Sequence, residues 1–193
     1  ATVAIVGAAI GLFSQPAPTL TKDQLIPKET HTKGSPDARV YLVEFSDFQC
    51  PACKAFQPTV DNVVKTYGDK LLFAYRHFPL AQHQYGELMA KLAEAAALQG
   101  KFWDMHDWLF ANQETFTPKK ISEVAKATGL DEIKIVAAMN SPTISDKIAG
   151  DLADGKRFGV NATPTFFLNG KKLQLASFAD LKTQVENAIK IAD

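Results

Sequence analysis

Only two cysteines, Cys50 and Cys53, occur in the 193 residues of this chain. So few thiols exclude a disulfide-stapled scaffold. A four-ligand zinc site lacks a second cysteine pair, and the four histidines (His31, His77, His83 and His106) have no ligand spacing, so no metal is indicated. Neither sign of charge is in excess: 21 Lys plus Arg balance 21 Asp plus Glu, and no block of like charge forms. The chain therefore carries no electrostatic footprint for nucleic acid or an anionic surface. GxGxxG and phosphate-loop patterns are also missing, which leaves no sign of a nucleotide or flavin. What is present is ordinary for a globular chain, with 46% apolar and 22% charged residues. The length suits one domain, or one domain with an insertion.

Residues 1–13 are apolar but too short alone to span a bilayer, which takes about 20 such residues. They read as the remnant of an N-terminal membrane anchor or signal segment, the competing reading being a buried terminal element of the fold. Residues 14–37 carry Pro16, Pro18, Pro27 and Pro36 among polar residues and read as a linker, with one short ordered piece around residues 20–26. Export also fits the cysteine usage, since persistent disulfides belong to oxidising compartments.

Cys50-Pro51-Ala52-Cys53 follows an apolar run (residues 40–45) and a turn at Ser46 and Asp47, and it opens a helical pattern. Two cysteines at this spacing can close and reopen a small strained disulfide. At a helix N-terminus the first sulfur meets unpaired N–H groups and the positive end of the dipole, which favour its thiolate. Pro51 has no N–H to offer and Ala52 no side-chain donor, so other amides of the first turn must do this. A purely structural disulfide of so short a span would constrain little of the unfolded chain. Redox chemistry is the stronger reading.

Residues 39–45 are β-branched and aromatic on both faces, as in a buried central strand. Glu44 stands inside that strand. Buried there, its carboxyl should have a raised pKa; facing an edge, it would be solvated. A helix then runs to about residue 67 on Phe56, Val60, Val63 and Val64, with Pro58 expected to kink it. Residues 70–76 form the next strand, giving a parallel crossover. Arg76 and His77 are expected to end it with their charges in solvent. Helical patterning fills residues 84–156, including a helix opened by Thr117-Pro118 and ended by Gly129, and Trp103, Trp108 and Phe110 read as its core. Strand character returns at residues 165–168, turns at Asn169-Gly170 and continues to residue 175. Ser177 to Asp180 opens the last helix as a capping box, with Leu181, Val185 and Ile189 as its buried stripe.

Three stretches, residues 45–53 (FSDFQCPAC), 76–80 (RHFPL) and 159–166 (GVNATPTF), resemble the signatures of DsbA-like thiol:disulfide oxidoreductases of the thioredoxin superfamily, in the membrane-tethered bacterial branch. The resemblance runs from about Gly34 to the C-terminus. It implies an α/β thioredoxin fold with a helical insertion between its βαβ and ββα halves. Residues 38–82 and 157–193 would form the thioredoxin domain and residues 83–156 the insertion. It further implies that Cys50 is the attacking sulfur and Cys53 the resolving one. Glu44 would lie beneath the motif and exchange a proton with Cys53. Thr163 and Pro164 would form a cis-proline loop that pairs with an extended substrate. Relatives with His in place of Ala52 gain a further thiolate donor, so this centre is expected to be a milder oxidant than theirs. The redox-active disulfide would be the only cofactor. The implied protein is an extracytoplasmic, N-terminally anchored monomer that passes its disulfide to unfolded or newly exported thiol-containing proteins. A membrane quinone-linked thiol oxidase would recycle it. A reductase or isomerase of the same fold, or a peptide-binding chaperone module, are the competing readings.

Overall fold

Strand β2 (Val40–Ser46) is the axis of the molecule, buried along almost its whole length. Beside it lie β3 (Leu71–His77), parallel to it, and β4 (Thr165–Leu168), antiparallel. Strands β1 (His31–Gly34) and β5 (Lys171–Lys172) close the two edges, so the five-stranded sheet has the order β1-β3-β2-β4-β5. The computed structural model describes residues 19–193; the apolar run at residues 1–13 lies outside the described residues. Among the described residues, no helix is long and apolar enough to cross a membrane.

Alternation along the strands builds two separate cores. Val40 and Leu42 of β2, Leu71, Phe73 and Tyr75 of β3, and Phe166 of β4 face the larger core. Helices α2 (Pro51–Tyr67), α3 (Gly86–Ala97), α4 (Phe102–Ala111) and α8 (Phe178–Ala192) all contribute buried side chains to it. So do α5 (Ile121–Thr128), α6 (Glu132–Met139) and α7 (Pro142–Arg157). Val43, Phe45, Ala74 and Phe167 face the opposite way, onto a smaller core that holds Leu25 of α1 (Lys22–Leu25), Phe78 and Val160.

The ends of several elements follow their local chemistry. Asn169 and Gly170 both have positive φ, at 47° and 83°, as the two-residue turn between β4 and β5 requires. A side chain at Gly170 would also strike the Leu20 carbonyl, whose residue donates its N–H to Gly170 O. Ser177 and Asp180 close a capping box at the start of α8.

Four expectations need correction. Residues 31–34, assigned to the linker, form edge strand β1: their N–H and C=O groups find partners on β3 despite a polar sequence. Strand β5 ends at Lys172 and does not reach residue 175. Thr117-Pro118 opens a 3-10 turn, Pro118–Lys120, and the α-helix starts only at Ile121. Arg76 and His77, expected in solvent, are both 1% exposed. Alternation explains this last difference. Arg76 falls on the smaller-core face, beneath α7, where Asp151 and Asp154 meet it. His77 falls on the larger-core face, where its Nε2 lies 2.8 Å from Glu94 Oε1. Trp103 and Trp108 pack, half-buried, against the larger core, and Phe110 lies within it. Helix α2 continues through Pro58 to Tyr67.

Candidate active site at the start of helix α2

The chain leaves β2 at Ser46 and enters α2 at Pro51, so a four-residue turn sets both sulfurs at one end of the sheet. Cys50 is the N-cap, with extended backbone and no side-chain cap of its own, and Pro51 occupies the first helical position. Pro51 and Ala52 are exposed, Cys50 is 6% exposed and Cys53 is fully buried. No disulfide joins the two sulfurs in this structure.

Asp47 holds this turn together. Its buried carboxylate accepts from Gln49 N at 2.8 Å, Leu80 N at 2.8 Å and His83 Nδ1 at 2.6 Å. Its main-chain carbonyl accepts from Cys50 N at 3.0 Å, and its N–H points at Cys53 Sγ at 3.5 Å. The helical insertion takes part as well. Gln113, buried after α4, donates to Phe48 O at 2.7 Å and to Cys50 O at 2.9 Å. Neither residue stands out in the sequence. Asp47 carries the one available signal, since Asp in a turn often bonds to the N–H two residues on. Gln113 has none, because its partners are more than 60 residues away.

The two sulfurs are driven apart electrostatically. Cys50 is lowered to about 5, chiefly because the Cys53 thiol bonds to it. Burial opposes that effect, and the Thr163 side chain and the N–H groups of Cys53 and Ala52 reinforce it. The first-turn amides thus act as the sequence requires. Cys53 moves strongly the other way, through burial first and then the nearby Cys50 and Glu44. A pair so polarised has one thiolate ready at neutral pH and one thiol that keeps its proton.

Thr163 comes from the loop before β4, and the peptide joining it to Pro164 is cis. The Cys50 thiol lies 3.3 Å from Thr163 O. Beside this loop, a groove of about 450 Å³ is lined by polar Asn161, Thr165, Lys172 and Gln174 together with Phe56, Pro164, Phe166, Leu173 and Leu175. Glu44 is fully buried, and the Ser46 hydroxyl donates to its Oε1 at 2.7 Å. Burial pushes this carboxyl up to about 8, against the Ser46 bond and with help from Cys50 and Asp61. The structure therefore gathers Cys50, Cys53, Glu44, Thr163 and Pro164 at one place. Among the described residues, no group of His, Cys, Asp and Glu is arranged to hold a metal ion.

Known proteins share this fold. Residues 27–187 match the family model described as Thioredoxin. The Na(+)/H(+) antiporter NhaA 1 of Mycolicibacterium gilvum is 38% identical over 149 residues, which are 76% of this chain and 24% of that protein. The chain thus spans about a quarter of the length of the curated relatives it matches. Among solved structures, the thiol-disulfide exchange protein alpha-DsbA2 from Wolbachia pipientis superposes with a TM-score of 0.76 at 22% identity, covering 86% of this chain and 91% of that one. A thioredoxin-like oxidoreductase from Silicibacter pomeroyi gives a TM-score of 0.75 at 25% identity, covering 89% of this chain and 99% of that one.

Proposed function

The chain belongs to the thioredoxin family, in the DsbA-like form of its fold, and on that premise we propose that it is an extracytoplasmic thiol:disulfide oxidoreductase that donates its Cys50–Cys53 disulfide. The observation that carries this reading is the opposite displacement of the two thiols, with Cys50 lowered to about 5. A stabilised thiolate stabilises the reduced form, so the disulfide is more readily given away. The value falls between the about 7 of reducing thioredoxin centres and the about 3.5 of the strongest oxidants. That supports a centre on the oxidising side, milder than those with a further thiolate donor in place of Ala52.

In the proposed reaction a substrate thiolate attacks Cys50 Sγ, the Cys50–Cys53 bond breaks, and its electron pair leaves on Cys53. A second substrate thiol then attacks the mixed disulfide at the substrate sulfur and releases reduced enzyme. Thr163 presents a main-chain carbonyl beside Cys50, suited to pairing with an extended substrate. The neighbouring groove, where Asn161, Thr165, Lys172 and Gln174 accompany the apolar side chains, offers mainly polar contact for the residues that flank the substrate cysteine. Unfolded or newly exported thiol-containing proteins fit such a site, and a membrane quinone-linked thiol oxidase would take two electrons from the reduced pair and restore the disulfide.

Equilibration of the cysteine pair against a glutathione series tests the direction. A potential clearly above that of thioredoxin, toward about −120 mV, supports disulfide donation; one near about −270 mV makes the protein a reductase. Cys50→Ser should abolish exchange. Full function retained in that variant would leave only a peptide-binding role.

A further inference from the structure

Glu44 and Ser46 continue the stripe begun by Val40 and Leu42, because alternate residues of β2 share a face. Both point into the buried space that holds Cys53. The Ser46 hydroxyl is the only hydrogen-bond partner of the Glu44 side chain among the described residues: it donates to Oε1, and Oε2 is buried with none. The hydroxyl of Tyr75, which lies opposite Glu44 in the register, is likewise buried and unpartnered. The residue after Ser46 directs its N–H at Cys53 Sγ, which sets the strand end against that sulfur. No hydrogen bond joins Cys53 to Glu44 directly, and the Ser46 hydroxyl, turned to Glu44, has to rotate to reach the sulfur. A serine hydroxyl, which both donates and accepts and can rotate, bridges such a gap.

We propose that Ser46 relays the proton between Glu44 and Cys53 during disulfide exchange. The inference rests on the oxidoreductase reading above. As the substrate thiolate bonds to Cys50 Sγ, the Cys50–Cys53 bond breaks and Cys53 leaves as a thiolate. Glu44 gives its proton to Ser46 Oγ while Ser46 gives its own to Cys53 Sγ. Glu44 ends as a carboxylate, Cys53 as a thiol and Ser46 unchanged. In reverse, Cys53 loses its proton through Ser46 to Glu44, attacks Cys50 in the mixed disulfide and expels the substrate thiolate. The Ser46 hydroxyl, bonded to Glu44, favours the ionised form of that carboxyl and of Cys53. The other ionisable groups around Glu44 are Cys50, Cys53 and Asp61 from α2 and Tyr75 from β3; Phe166 of β4 adds none.

Ser46→Ala, Ser46→Thr, Glu44→Gln and the Ser46→Ala/Glu44→Gln double variant of the full chain test this in two ways. Rapid mixing of oxidised protein with a reduced cysteine peptide, across the pH range of the Glu44 titration, reads the exchange step. Carboxyl ¹³C NMR of the reduced protein reads Glu44 itself. Ser46→Ala should slow exchange by about 10²-fold, the lower end of what general acid–base transfer contributes. It should also raise the Glu44 midpoint by about one pH unit, the size of a lost charged hydrogen bond. Ser46→Thr should restore both, and the double variant should be no slower than Glu44→Gln. An unmoved Glu44 midpoint, or slowing factors that multiply in the double variant, would overturn the relay while leaving wild-type exchange intact. A wild-type protein inert toward thiol peptides would instead remove the oxidoreductase reading, and the relay with it.

Discussion

Arg76 and Glu44 are buried charged residues on neighbouring strands of one sheet, and their surroundings are opposite. Arg76, on the smaller-core face, is almost completely satisfied. Its Nε donates to Asp151 Oδ1 at 2.5 Å, Nη2 to Asp154 Oδ2 at 2.8 Å and Nη1 to Leu25 O at 3.0 Å, with the guanidinium over the Phe45 ring. Glu44, on the larger-core face, has one donor and an unpartnered oxygen. A satisfied buried charge fixes geometry, because removing one partner strands the other. An under-satisfied one trades protons readily, because neither ionisation state is fully supported. Structure and chemistry are thus divided between these two residues.

The largest effect expected from breaking this contrast is on Arg76. Arg76→Leu takes the guanidinium from Asp151, which keeps Lys147 and the His77 N–H, and should cost about 3 kcal/mol in denaturant unfolding, the lower end for breaking a buried pair. The Cys50 titration of the protein that still folds should stay where it is. A shift there would mean that the two faces are not independent.

Glu94 sharpens the comparison, being a buried carboxylate of the satisfied kind. Burial alone would raise it, but His31 and His77, at 2.9 and 2.8 Å, hold it well below the usual range. Its stabilising contribution is therefore present above the ordinary carboxylate pKa and lost as pH falls. Glu44 has the reverse sign. Its folded value is the higher one, so its contribution is full at low pH and lost as pH rises from about 4.5 toward 8. Glu94→Gln should cost about 1–3 kcal/mol at neutral pH and flatten the acid limb of the stability profile. Glu44→Gln should do the opposite: it should flatten the fall in stability between about pH 4.5 and 8 and raise stability at the upper end of that window, by on the order of 1 kcal/mol or more. Urea midpoints of both variants across pH check the two signs at once.

The smallest effect belongs to the exposed rim of the site. Lys54 meets Glu114 at 3.0 Å across the seam between α2 and the insertion, but Glu114 is largely exposed. Lys54→Ala should change stability by less than about 1 kcal/mol and leave exchange rates within a few-fold.

Much of this contrast was legible in the sequence, and the reasons differ by residue. The cysteine pair, the strand-helix-strand order and the burial of Glu44 follow from spacing and hydrophobic pattern, which are local. The Asn169-Gly170 turn and the Ser177 cap are equally local. What escaped depends on partners distant in the chain. Arg76 and His77 look like a solvated strand end until α7 and α3 supply Asp151, Asp154 and Glu94. Strand β1 has a polar sequence, and only its neighbour β3 makes it a strand. Ser46 and Gln113 are ordinary polar residues until the fold sets one on Glu44 and the other on the Cys50 carbonyl.

The central claim is that the fold polarises the two sulfurs, and the pH titration of the reduced protein by ultraviolet thiolate absorbance tests it most directly, with Cys50→Ser as the control that assigns the signal. A transition of one thiolate near pH 5, absent from the control, is expected. A midpoint near the about 8.5 of an unperturbed cysteine would contradict the account.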